Sequence, residues 1–172
     1  MGWFGESKVT GRSRDRVPTA TPGPLTARGA LQVVLPVVEK VSRGYQLRLV
    51  TSGEDIGADG RSLRWEFVFE FPSRHAGGVF GVEPCDMEES ETALCITSEI
   101  APRSPRSEAP LPLEFRDSPE VVAEMAKAGV DWVAGSTRMT LASRRTPDGA
   151  LVWSTVMFDQ EYSVPFVATS GR

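Results

Sequence analysis

The chain is poor in the residues that most enzyme chemistry uses. It has one histidine, His75, and two cysteines, Cys85 and Cys95, in 172 residues. Two cysteines are too few for a disulfide framework and lack metal-ligand spacing. They would face each other across a hairpin centred near Ser90, but free thiols are expected in a reducing cytoplasm. No glycine-rich phosphate loop, nucleophile elbow or zinc-protease motif occurs, and no carboxylate or cysteine is spaced to partner His75. An enzyme would have to use His75 with a nearby carboxylate, or Cys85 as nucleophile; the expectation is no catalytic residue, no metal and no cofactor. The acidic residues Glu83, Asp86, Glu88, Glu89 and Glu91 lack the ligand alternation and glycine of an EF-hand and read as a solvated turn, as do Glu54, Asp55 and Asp59.

Other absences bound the setting. Net charge is -4 and the sequence pI about 5.1, so the concentrated basic face that nucleic acid requires is not expected. No stretch approaches the ~20 apolar residues of a membrane span. The start, MGWFGESKVTGRSRDR, has no apolar run of a secretory signal, and Glu6 stands where N-myristoylation wants Ser or Thr. A cytoplasmic location is therefore expected.

What is present is patterning. In DGRSLRWEFVFEF, Leu63, Trp65, Phe67, Phe69 and Phe71 alternate with Arg64, Glu66, Val68 and Glu70, the period of a strand with one buried face. Before it, Leu31, Val34, Leu35, Val38 and Val41 recur at helical spacing, with Thr26 as N-cap and Gly44 as the left-handed stop; Pro36 should kink or split this helix. Tyr45, Leu47 and Leu49 alternate with Gln46 and Arg48 as a first strand, and residues 79–84 and 93–100 read as two more.

Residues 1–24 have few apolar groups to offset the entropy of ordering and read as a flexible tail, whose exceptions are Trp3 and Phe4. Residues 101–116 are proline-rich and read as an extended linker. Beyond it, Asp117-Ser118-Pro119-Glu120 is a strong helix start, and Gly129 followed by Val130 suits a Schellman ending against Met125. Residues 139–143 and 151–158, joined by Thr146-Pro147-Asp148-Gly149, read as a hairpin, and Pro165 marks a closing edge strand.

The two halves share an order: capped helix, strand, Asp-Gly turn, then Leu-x-Trp, at Asp59-Gly60 with Leu63-Arg64-Trp65 and at Asp148-Gly149 with Leu151-Val152-Trp153. The fold class expected is α+β, two pseudo-repeated units of one helix packed on antiparallel strands and sharing a core, spanning residues 25–100 and 117–172. On DGRSLRWEFVF in the first unit, and DSPEVVAEMAKAG with LVW in the second, the chain resembles the PepSY-like proteins, helix-on-sheet modules that often come in tandem. That resemblance implies binding or inhibition of other proteins, commonly in secreted or membrane-attached settings, with no shared catalytic residues; the missing export signal departs from it.

The function expected is thus a non-catalytic protein-interaction module, with Trp3 and Phe4 as a docking peptide and exposed sheet edges available for self-association. A second reading is a small-ligand binder with Trp65, Phe67 and Trp153 lining a pocket between helix and sheet, although these residues and Trp132 read first as core. A third, by analogy of fold alone, is a cytoplasmic chaperone or immunity-type protein that masks a partner.

Overall fold

In the computed structural model, which describes residues 11–19, 23–85, 93–132 and 139–168, antiparallel strands are interrupted twice by a helix. The order is β1 (Gly11–Pro18), α1 (Ala27–Val41), β2 (Gln46–Ser52), β3 (Trp65–Phe71), β4 (Ala76–Pro84), β5 (Ala93–Pro102), α2 (Ser118–Lys127), β6 (Ala142–Arg145), β7 (Leu151–Met157) and β8 (Gln160–Pro165). All eight strands join one sheet in the order β1-β5-β4-β3-β2-β6-β7-β8, so the fold is α+β with strands predominating. The first strand after each helix, β2 or β6, lies at the middle, where Thr51 pairs with Ala142.

Strand alternation decides which face is buried. Trp65, Phe67, Phe69 and Phe71 on β3, with Phe80 and Val82 on β4 and Ile96 on β5, turn to one side and pack with Leu31, Val34 and Val38 of α1. Trp153 on β7, together with Phe115, Phe166 and the α2 residues Val121, Val122 and Met125, continues the same core. Both helices therefore cover one face of one sheet.

Each helix begins as its sequence dictates. Thr26 accepts the Gly29 N–H at the start of α1, and Asp117 accepts the Ser118 N–H at the start of α2. The start of α2 also caps that of α1: Asp117 Oδ1 accepts the Arg28 N–H at 3.0 Å, while the Ser118 hydroxyl accepts the Ala27 N–H at 2.9 Å and donates to the Gly60 carbonyl at 2.6 Å. At its far end α2 closes in a Schellman turn, with the Val130 N–H on the Met125 carbonyl and the Gly129 N–H on that of Ala126. Helix α1 runs unbroken past Pro36 and stops at Ser42, not at Gly44. In the β6–β7 turn, the Thr146 hydroxyl and the Ala150 N–H hold the Asp148 carboxyl below the usual carboxylate range.

Several expectations need correction. Residues 11–18, read as part of a flexible tail, form β1 along β5: Arg12 pairs with Glu99, and the Ser13 and Ser98 hydroxyls are 2.7 Å apart. Pairing with β5 supplies the backbone bonds that a segment poor in apolar side chains could not gain alone. Leu63, expected on the buried face, is 49% exposed, because β3 begins only at Trp65. Ser62 turns inward instead, its hydroxyl on Asp55 Oδ1. Leu47 and Leu49, expected on one side of β2, are split by a register shift, so that Leu47 opposes Phe69 and Leu49 opposes Val68.

Gly60 sits where this packing leaves no room. Its φ is +73°, and a Cβ there would lie 2.4 Å from the Pro119 nitrogen. Gly60→Ala is expected to cost about 2–4 kcal/mol, since only backbone stands in the way. Ser118→Ala should cost about 2–3 kcal/mol by leaving the Ala27 N–H and the Gly60 carbonyl without their partner. Urea unfolding of both variants checks this; a Ser118→Ala loss below ~0.5 kcal/mol would refute the bridging role of that hydroxyl.

Candidate functional site

The register shift at Arg48 has a chemical consequence. Glu70 follows Phe69 on β3 and so faces away from the helices, yet its side chain is only 2% exposed. Arg48, 5% exposed, places Nε 3.2 Å from Glu70 Oε2. Two further guanidinium groups come from the segment expected to be a linker: Arg106 Nε lies 3.1 Å and Arg103 Nε 3.7 Å from Glu70 Oε1. That segment crosses the open side of the sheet. Its path is set by the Arg103 N–H on the His75 carbonyl, by the Arg103 stem over Gly77, where a Cβ would come within 2.9 Å, and by Leu111 pairing with Leu47.

These contacts are ion pairs without directed hydrogen bonds, for among the described residues Glu70 Oε1 and Oε2 and Arg48 Nε have no hydrogen-bond partner. The other Arg48 nitrogens are engaged, Nη1 by the Glu108 carbonyl at 2.7 Å and Nη2 by Gln46 Oε1 at 2.9 Å. Next to this cluster opens a cavity of about 270 Å³. Arg48, Arg106, Arg144 and Arg145 line it together with Leu49, Leu111, Leu151 and Ser143. Arg145 Nη2 donates to the Ala109 carbonyl at 2.8 Å, and Arg144 pairs with Glu161.

A second feature lies at the tip of the β7–β8 hairpin. Met157 pairs with Gln160, leaving Phe158 and Asp159 as a two-residue turn with φ of +50° and +61°. Positive φ at both central positions is the type I′ arrangement, which Asn and Gly adopt readily and Phe does not. Phe158 is 83% exposed and Val156, two residues earlier, 57%.

The sequence-predicted residues fall elsewhere. Trp65, Phe67 and Trp153 are fully buried and line neither this cavity nor another, of about 430 Å³, beside His75. Trp153 stacks among Phe115 and Phe166, with centroids 5.5 and 4.8 Å away. Both indole N–H groups are taken by backbone, Trp65 Nε1 by Leu25 and Trp153 Nε1 by Arg116. Trp3 and Phe4 lie outside the described residues, as do Asp86, Glu88, Glu89 and Glu91 of the acidic turn. His75 is an exposed residue with φ of +47° between β3 and β4. The cysteines, expected free, are joined as Cys85–Cys95, because the β4–β5 pairing brings their Cα atoms to 5.0 Å.

Among the described residues no group of three or more His, Cys, Asp or Glu side chains could hold a metal ion. No helix of the described residues is long and apolar enough to cross a membrane. Comparison with protein-family models, with curated proteins and with solved structures found no match.

Sequence reasoning passed over Glu70, Arg48 and Phe158. Glu70 carried one signal, an acidic residue inside an aromatic run; Phe158 carried another, an aromatic where a turn wants Asn or Gly.

Removal of Arg48 leaves a buried carboxylate short of its most enclosed counter-charge, so Arg48→Met is expected to cost about 3–5 kcal/mol. Arg106, 45% exposed, should cost about 1 kcal/mol or less on the same change. Chemical denaturation distinguishes them, and equal losses would contradict this ranking. Reduction of Cys85–Cys95, which closes a separation of 10 residues, is expected to remove about 2–3 kcal/mol. Melting with and without dithiothreitol measures it.

Proposed function

We propose that this chain is a non-catalytic protein-interaction module built from two similar helix-and-strand units, and that a partner protein docks on the β7–β8 hairpin. Phe158 carries the proposal. A non-glycine residue in the left-handed region costs of order 1–2 kcal/mol. An aromatic side chain 83% exposed returns little of that to folding. Aromatic anchors do return it on binding, since they dominate the hot spots of protein interfaces. Val156 beside it widens the apolar tip.

The two-unit reading draws support from the tryptophans. Trp65 donates to Leu25, two residues before α1, and Trp153 to Arg116, two residues before α2. Each begins, or nearly begins, the second strand after its helix. The likeness to PepSY-like modules belongs to the same proposal, as does a contribution from Trp3 and Phe4. The Cys85–Cys95 bridge favours an oxidising compartment over the cytoplasm expected from the sequence.

Phe158→Gly separates binding from folding. It is expected to raise stability by about 1 kcal/mol, because glycine accepts the positive φ, while removing the partner from complexes isolated from the protein's own cell. Thermal melting and native mass measurement read the two effects. A variant that is less stable and keeps its partner would overturn the proposal.

A further inference from the structure

The cavity beside Glu70 carries a charge opposite to that of the chain. Its lining holds four arginines against one carboxylate, Glu108. Counting Glu70, Arg103 and Glu161, which touch those arginines or share their counter-ion, five guanidinium groups stand against three carboxylates, in a protein of net charge -4. A concave site with an excess of one sign concentrates ligands of the other.

The cavity arises where the sheet splays. β2 has β6 as its neighbour at Thr51 and the 103–111 segment at Leu47, and between these two pairings lie Arg48 and Leu49, both in the cavity wall. The Val50 N–H, inside the gap, is satisfied by the Ser143 hydroxyl at 2.9 Å in place of a strand carbonyl. One side of the opening is apolar, from Leu49, Leu111 and Leu151. Glu70 lies behind, buried and without directed hydrogen bonds, so it gathers Arg48 and Arg106 by charge alone.

We propose that this cavity binds a small organic anion, its carboxylate or phosphate head held by the guanidinium groups of Arg106, Arg144 and Arg145 and its short apolar body lying on Leu49, Leu111 and Leu151. Guanidinium is the group best matched to such heads, since its planar fork of donors meets two oxygens at once. A volume of about 270 Å³ suits a ligand smaller than a typical cofactor. The cavity lining includes no residue of 156–161, and the proposal stands whether or not the β7–β8 tip binds a protein.

The test uses the full chain with sodium hexanoate and inorganic phosphate as probes at constant ionic strength, and hexanamide as the uncharged control. Calorimetric titration and thermal melting are the readouts. Hexanoate, phosphate or both are expected to bind and raise Tm while hexanamide does neither; whichever binds identifies the head group. Arg106→Gln and Arg145→Gln should each weaken binding tenfold or more. Arg144→Gln, at an exposed position, should weaken it severalfold and serves if the others fold poorly. Glu70→Gln, which removes the internal competitor, should tighten binding severalfold, and the anion should restore part of the Tm that this variant loses. No binding by either probe would overturn the proposal, as would binding unchanged in all three arginine variants. Binding only of a peptide with a free C-terminal carboxylate would transfer the site to a protein partner and overturn it equally.

Discussion

Everything else in this fold depends on two helix N-termini meeting at one serine. The positive ends of α1 and α2 converge where Ala27 and Arg28 approach Asp117 and Ser118. Two like poles would repel, each equivalent to about half an elementary charge. Asp117 answers both at once: its carboxylate accepts an N–H from its own helix and one from the other. The Ser118 hydroxyl then ties the pair to the turn before β3 through the Gly60 carbonyl. With both helix starts fixed to one turn, the helices cover adjacent parts of one sheet, and their apolar faces merge in one core.

That arrangement leaves the opposite face of the sheet to be managed by charge. β3 cannot place Glu70 among the aromatics, because alternation sends it outward. It is buried all the same, by the proline-rich 103–111 segment, which brings Arg103 and Arg106 over it and then adds Leu111 to β2. The bulge at Arg48 supplies the third guanidinium and splits Leu47 from Leu49 in the same step. One inserted residue thus serves packing on one face and electrostatics on the other.

The parts of the fold governed by local rules were legible. The capped starts at Thr26 and Asp117, the Schellman ending at Gly129, the alternation from Trp65 to Phe71 and the Asp-Gly turn of the second hairpin all follow from residues within a few positions of one another. What was hidden is non-local. Strand β1 exists only because β5 presents an edge to it, and its Arg-Ser-Arg-Asp-Arg text carries no apolar period. The Cys85–Cys95 bridge depends on strand register, and the enclosure of Glu70 depends on a segment more than 30 residues further on in the chain. The cavity was illegible for the same reason, its walls coming from β2, the 103–111 segment, β6 and β7.

A sequence that agrees with its fold at most levels makes its disagreements informative. The helix-facing side is of that agreeing kind: aromatics in alternation, capped helices, indole N–H groups satisfied by backbone. Among the described residues, and besides the left-handed His75, two places depart from it. At Phe158 and Asp159 the chain holds left-handed conformations without glycine, under a side chain that contacts little. Between Leu47 and Thr51 it gives up regular pairing and lets arginines gather around a carboxylate. The tip faces solvent, and the gap between Leu47 and Thr51 opens into the arginine-lined cavity, with Arg48 and Glu70 themselves buried. Stability alone would favour glycine at the tip and an unbroken ladder in the middle of the sheet. Their presence in a fold otherwise so consistent is the physical reason for proposing binding at these two places, while the tryptophans are buried.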